Sequence, residues 1–524
     1  MKLKMKCVLA LALAGIMVLT GCSSTGGAKV EEGTTTTTTS DKKEETKKDV
    51  TLDFFYYDGL RVFKSDSPIW KKIQADTGIT LNGAAPTTPG GEHNEQFNLM
   101  LASGDIPDII HAVKANIIKN GDKLFTPLED LIDEHAPNIK KMLEERPDVK
   151  AAATGTDGHI YFIPYLPDGE VSEVMYIRKD WLDKFNLPIP TTVEEYETAL
   201  RTFREQDANE NGKKDEIGYF DRAGNTENGI AAVFNLYGAS FERYVKDGVI
   251  IDDRYKPEFK TTVENVARIY SEGLIDPEIY TRGKDSREVM FEGNMGASTT
   301  DWIASTAKYQ TTYEGQIEGL EWVPILQPAN LNGEVMTQYS RPQIYDGGWG
   351  ISKECKDPVD AIKLFDYMFS EEGARVMNFG IEGETYDMVE GKPVFKEEVL
   401  NADKPVNDQI KDMGYLQIGY PQDFEYERQW TNDIALAGID LYLEADPFLD
   451  IVPNLGLTQT PEELELISKK GPALKSYTEE MLQKWVLGSE DINSSFDKYL
   501  EKCKELGSDE ILAAYQAAYD RAYK

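Results

Sequence analysis

Basic charge, cysteine and histidine are all scarce in this 524-residue chain, and each shortage removes a class of function. Lysine and arginine total 56 against 92 acidic residues, for a formal net charge of −36. DNA and RNA are held by basic side chains that neutralise phosphates, so nucleic acid is not expected as a partner. Such a charge favours solubility and repels an anionic membrane face, and it says nothing of fold. Of four cysteines, Cys7 and Cys22 lie near the start, leaving Cys355 and Cys503 for the body, which excludes a disulfide scaffold. Whether those two pair is open from sequence, with free thiols expected. His93, His111, His135 and His159 show no HExxH spacing, and no Gly-x-Ser-x-Gly elbow occurs. Carboxylates are too plentiful for any pair to single out a glycosidase site. The expectation is a protein that is not an enzyme.

Long apolar runs are also missing, apart from Cys7 to Leu19, which follows Lys2, Lys4 and Lys6 and ends in Leu19-Thr-Gly-Cys22. It falls short of the roughly 20 apolar residues a membrane-spanning helix needs, and a secretory signal peptide over 1–21 is expected instead. Leu-Thr-Gly-Cys resembles the bacterial lipobox. That resemblance implies acylation of Cys22, including palmitate-type chains, and cleavage just before it. Several acyl chains would anchor the protein to the outer face of the cell membrane, since each buried methylene adds affinity. Loss of three lysines with the leader takes the charge from −36 to about −39. Residues 22–49, with threonine at every position from Thr34 to Thr39, have almost nothing apolar to bury. They are expected to form a disordered tether, reaching roughly 5–6 Å times the square root of its length.

After the tether, the chain is 40% hydrophobic overall and long enough for two lobes. Val50 to Tyr56 is β-rich, Ser67-Pro68 starts a helix that Gly78 ends, and Ile79 to Leu81 is extended. Glu95 to Ala102 reads as helix, and Asp108 to His111 as the next strand, so the chain opens βαβαβ. This predicts an α/β lobe with a largely parallel sheet, whose ligands approach the carboxyl ends of the strands. Helical spacing recurs at 180–185, 192–205, 256–272, 358–369 and 495–506.

Several segments then share one resemblance: Leu101-Ala-Ser-Gly-Asp-Ile-Pro-Asp-Ile109, Asp157-Gly-His-Ile-Tyr-Phe-Ile-Pro164, Tyr176-Ile-Arg-Lys-Asp-Trp-Leu-Asp183, Pro190-Thr-Thr-Val-Glu-Glu-Tyr196 and Gly348-Trp-Gly-Ile-Ser352, followed by Asp357-Pro358. In this order they resemble the family 1 extracellular solute-binding proteins, in particular the long lipoprotein branch of Gram-positive bacteria with LipO-like and alginate-binding members. His159 departs from the lysine usual there. The resemblance implies a two-lobed periplasmic-binding-protein-like (Venus flytrap) α/β fold with discontinuous lobes and a hinge. Expected boundaries are 50–165 plus about 335–415 for the N-terminal lobe, and 166–334 plus about 416–524 for the C-terminal one. It further implies a monomeric, lipid-anchored substrate-binding component of an ABC importer, which captures a sugar or oligosaccharide and hands it to permease subunits served by a cytoplasmic ATPase. A peptide-binding or sensor lipoprotein, or a surface carbohydrate-active enzyme, are the alternatives.

Asp207-Ala-Asn-Glu-Asn-Gly-Lys-Lys-Asp-Glu216 places oxygen-bearing side chains at alternating positions around a glycine. It looks like an EF-hand loop, in which Asp207, Asn209, Asn211, Asp215 and the Lys213 carbonyl would face a Ca2+ ion. An EF-hand closes with a glutamate at its twelfth position, which here is Gly218. The family resemblance assigns the closing role to Glu216 instead. With one loop and no pair, a structural site is expected rather than a switch; an ordinary acidic turn is the competing reading.

A sugar presents flat C–H faces and a rim of hydroxyls, so its cleft needs aromatic plates and short polar groups. With 7 Trp and 27 Tyr in the chain, the candidate plates are Tyr57, Tyr165, Trp302 and Trp349, in segments taken as loops or Gly-rich turns. Candidate polar partners are Ser103, Asp105, Asp301, Arg341 and Arg428. Two arginines in the cleft would favour uronic sugars, and carboxylates neutral or amino sugars; the sequence does not choose.

Overall fold

The computed structural model describes residues 50–524 except 58–61, 85–92, 170, 222–227, 338–340, 342, 343, 346, 446–448 and 451–455. The leader, Cys22 and the tether lie outside the described residues. Nine strands frame the fold: β1 (Val50–Phe55), β2 (Ile79–Gly83), β3 (Ile109–Ala112), β4 (Ile163–Pro164), β5 (Glu173–Arg178), β6 (Ile217–Tyr219), β7 (Gly296–Trp302), β8 (Trp322–Ile325) and β9 (Gly348–Ile351).

The opening is βαβαβ. Ser67 stands at the N-cap in extended conformation before Pro68, whose fixed φ and missing N–H suit a first helical turn. Ile69 and Ile73 are buried on one face, and Gly78 closes the helix at φ 76° with its N–H on the Gln74 carbonyl. β1 runs parallel to β2 and β3 in a five-stranded sheet of order β2-β1-β3-β9-β4. β9 inserts antiparallel between β3 and β4, pairing Trp349 with both His111 and Ile163. Its glycines are there for closeness of approach: a Cβ on Gly348 would sit 2.2 Å from the Ile163 carbonyl oxygen, and one on Gly350 2.5 Å from that of Tyr161.

The second sheet, of order β8-β5-β7-β6, is antiparallel except where β6 runs beside β7. β5 alternates its side chains as a strand must: Met175 and Ile177 enter one core, Val174 and Tyr176 another. The sheet is thus covered on both faces. Helix Val193–Glu205, which Thr192 starts by accepting from the Glu195 N–H, packs on one side together with Phe259–Ser271 and part of the long helix Pro461–Val486. Helix Asp433–Glu444 packs on the other.

The described residues from Val50 onward cluster as one unit, within which the two sheets keep separate cores. The first core draws on residues from Val50 to Leu166 and from Ile344 to Tyr420; the others draw on Val171 to Ile325 and Ala435 to Ile511. The chain therefore passes three times between them. Those passages are bonded side by side: the Tyr345 N–H donates to the Tyr165 carbonyl (3.1 Å), Leu166 to Tyr420 (3.0 Å) and Gln422 to Leu166 (2.8 Å). Cys355 packs against the first core and Cys503 is buried in the second, both as free thiols. Among the described residues no helix is long and apolar enough to cross a membrane.

Candidate functional site

The loop after helix Val193–Glu205 folds back on itself through its own side chains. Asp207 adopts φ 51° and accepts from the Asn211 N–H (3.0 Å) and the Gly212 N–H (2.9 Å), while Gly212 makes the bend at φ 78°. The Asn211 amide donates to both Asp215 oxygens (2.9 and 3.1 Å), and the Asn209 amide to one of them (3.1 Å). The Lys213 N–H is held by Asn211 Oδ1 at 2.8 Å. Glu216 is 1% exposed; one of its oxygens takes the Asn209 N–H at 3.2 Å, and Oε2 is buried with no partner. Burial, with Asp207 and Asp215 adding repulsion, pushes the Glu216 carboxyl above the usual glutamate range. A hard cation suits these donors: turning the two amides would present Asn209 and Asn211 oxygens beside the three carboxylates, and the orphaned Glu216 oxygen would gain a ligand. Among the described residues, no cluster of His, Cys, Asp and Glu side chains alone is compact enough to hold a metal without such amide and carbonyl oxygens.

The second feature lies where the three passages meet. Gly169, at φ 87°, lies against the Phe424 ring, and Arg341 lies over that ring at 5.3 Å. Arg341 donates to Glu427 (2.7 Å) and Gln422 (3.2 Å), with Nε buried and unpartnered. Arg428 flanks the same ring at 6.0 Å and lies 3.8 Å from Glu425. Tyr165 packs edge-on against Tyr420 and Tyr345; burial drives its hydroxyl well above the usual phenol range, with Tyr415 adding to the rise. Tyr345 itself is 50% exposed.

Trp302 ends β7 opposite Glu173, just after the first passage, and Ile303 N–H donates to the Ser172 carbonyl (3.1 Å). Trp302 is 47% exposed, while the adjacent Asp301 is buried in an ion pair with Arg287. Asp301 Oδ1 also takes the Trp302 N–H at 2.7 Å, which fixes the backbone under the exposed ring. Tyr345, Phe424, Gln422 and Glu427 were not anticipated from sequence.

Other anticipated residues lie elsewhere. Trp349 sits mid-sheet at 0% exposure, stacked on Phe365 at 4.1 Å, so its face is spent on packing; the Gly-rich turn expected there is a central strand. Ser103 and Asp105 form the turn leading into β3, with Ser103 Oγ accepting from the Asp105 N–H at 3.1 Å. In a parallel sheet that is the edge opposite the strands' carboxyl ends, so they are not gathered with the aromatic residues. Tyr57 is buried at the carboxyl end of β1, its carbonyl 2.5 Å from His93 Nδ1. Around it His93 and His111 rings lie 6.0 Å apart, and Tyr56 packs on His111 at 4.9 Å. This polar-aromatic group carried no signal in the sequence, since His93 and His111 fall in unrelated segments.

The family described as bacterial extracellular solute-binding protein matches residues 63–375. The fructooligosaccharide ABC transporter substrate-binding protein FusA of Streptococcus pneumoniae is 26% identical over 489 residues, covering 86% of each chain. The crystal structure of alginate-binding protein AlgQ2 without calcium ion superposes with a TM-score of 0.75 at 37% identity, over 91% of this chain and 99% of that one. A structure of the Streptococcus pneumoniae FusA EF-hand mutant in complex with fructo-nystose gives a TM-score of 0.71 at 21% identity, over 90% and 99% of the two chains.

Proposed function

The chain belongs to the bacterial extracellular solute-binding protein family, and from that premise we propose that it captures an oligosaccharide between two lobes and delivers it to an ABC permease. The observation that carries this reading is the half-exposed Trp302 ring, held at a strand end beside the first of three bonded passages between separately cored sheets. An exposed tryptophan pinned by its backbone is a stacking plate for a sugar face. FusA and AlgQ2, which this chain resembles along most of its length, carry saccharide ligands in their names.

The lobes are 50–165 plus about 335–415, and 166–334 plus about 416–524, with the first core reaching on to Tyr420, and with 165–168, Arg341, Ile344, Tyr345 and 420–424 as the hinge. Ligand bridging both lobes shifts the open-to-closed balance through contacts made only when closed, and the permease reads the closed form. No bond is made or broken, so no turnover is expected. Tyr165, Trp302, Arg341 and Arg428 are the ligand-facing or hinge residues of this reading, and Tyr57, buried at the end of β1, supports the cleft from below. Asp207, Asn209, Asn211, Lys213 (by its carbonyl), Asp215 and Glu216 hold a Ca2+ ion that stiffens the second lobe. Cys22 carries the lipid that keeps the monomer at the outer face of the cell membrane, with 22–49 as its leash.

Thermal shift and calorimetry of the purified protein against a saccharide and peptide panel test this. Saturable sugar binding without cleavage is the expected result. Binding of peptides alone would favour the peptide-binding or sensor alternative, and cleavage the enzyme.

A further inference from the structure

The sequence left ligand charge open because two arginines were candidates for the cleft, and the structure shows that the charge of the buried one, Arg341, is already taken up. Arg341 is chelated by Glu427 and Gln422, with the Arg341 and Glu427 side chains each only 12% exposed. Arg428 lies only in a loose, solvent-exposed pair 3.8 Å from Glu425, whereas Arg287, below Trp302, is buried and paired with Asp301. Arg146, close enough to sense Asp168, is held in a two-pronged contact by Asp148 at 2.9 and 2.7 Å. Lys114, buried where the chain leaves β3, donates its ammonium to the Gly456 carbonyl at 2.6 Å. Carboxylates remain in excess: Asp168 accepts only a backbone N–H, from Phe424 at 2.7 Å, among the bonds described, and Asp423 accepts that of Glu425 at 2.9 Å. Burial, with Asp168 and Glu425 nearby, raises the Asp423 carboxyl above its usual range, as a locally acidic hinge requires.

We propose that the ligand is an uncharged oligosaccharide and that the Arg341–Glu427 pair sets this preference. The inference rests on the oligosaccharide reading above. A uronate could take the planar fork of Arg341 only by displacing Glu427, which strands a buried carboxylate among other acids. A hydroxyl asks for less. Arg341 Nε and Arg287 Nε are buried N–H groups without partners, so a neutral oxygen brought against either when the lobes move would gain a bond while the charge stays neutralised.

The test is calorimetry of the full chain with neutral fructo-, xylo- and manno-oligosaccharides and with galacturonate and mannuronate oligomers of matched length, at low and high NaCl. A neutral class should bind at least about tenfold more tightly than any uronate, with little dependence on salt. In E427Q the fork is released, and the ratio of uronate to neutral Kd should fall by about tenfold or more. Uronate binding as tight as neutral binding, weakened by salt, overturns the charge inference and leaves the oligosaccharide reading standing. If peptides alone bind, or no saccharide does, the oligosaccharide reading falls and this inference with it. Should E427Q fail to fold, the wild-type comparison of the two classes decides by itself.

Discussion

Replacing Trp302 with alanine should weaken ligand binding while leaving the fold almost untouched, and the structure sets the size of both effects. A fully covered tryptophan buries about 150–250 Å2. With the residue 47% exposed, roughly 100 Å2 is open to a ligand. Sugar faces covering half of that, at about 25 cal/mol per Å2, contribute roughly 1.2 kcal/mol, or about eightfold in Kd. Trp349→Ala is the opposite case: the ring is 0% exposed and stacked on Phe365, so its loss should cost about 3–5 kcal/mol of stability. Calorimetric Kd and urea unfolding of both variants measure the contrast. An unchanged Kd in Trp302→Ala, or a stability loss as large as that of Trp349→Ala, would refute the role given to the exposed ring.

Removal of calcium with EDTA should lower the melting temperature of the wild type. Glu216→Gln should abolish most of that calcium-dependent difference and, in EDTA, hold stability level or raise it by about 1 kcal/mol, because it neutralises a buried oxygen that has no partner; equal loss with and without calcium would mean Glu216 serves packing alone. Burial acts to raise the Glu197 carboxyl, but bonds from Arg268, Tyr237 and Arg201 outweigh it and hold the group below the usual glutamate range. Its folded-state pKa is therefore depressed, so its stabilisation is present above the unfolded value and disappears as pH falls through the folded one; urea titrations at pH 7 and at successively lower pH should show a flatter acid limb in Glu197→Gln. Gly348→Ala should drive a methyl into the Ile163 carbonyl and cost several kcal/mol, read as a large drop in thermal midpoint.

Local rules carried the elements whose signals are local. Pro68 and Gly78 bracket the first helix as their backbone preferences predict, although the Ser67 hydroxyl donates to the Lys64 carbonyl instead of capping, and the Thr192 and Asn/Asp/Gly signals mark a helix start and a looped anion-rich turn. The long helix from Pro461 went unnoticed, although Thr460 and Glu463 form a reciprocal cap, because Pro472 and a mixed polar surface break its pattern. Trp349 and Asp301 show where sequence reasoning fails: the glycines around Trp349 admit neighbouring strands that bury it, and Asp301 turns inward to Arg287 while Trp302 beside it stays exposed. The charge of the hinge was equally hidden, since Arg341 meets a partner 86 positions away and no spacing encodes that meeting.

The insertion of β9 has a consequence for biosynthesis. β3 and β4 do not pair with each other; each pairs with a strand delivered only at residues 348–351. A nascent chain of 300 residues thus holds the N-terminal sheet with a gap at its middle and two unpaired internal edges, in addition to lacking the helices that follow β9. Closure of that sheet must wait until about two thirds of the polypeptide has been made. Were the chain to cross a membrane unfolded, as the leader proposed above implies, the order of its own strands would delay the folding that obstructs passage.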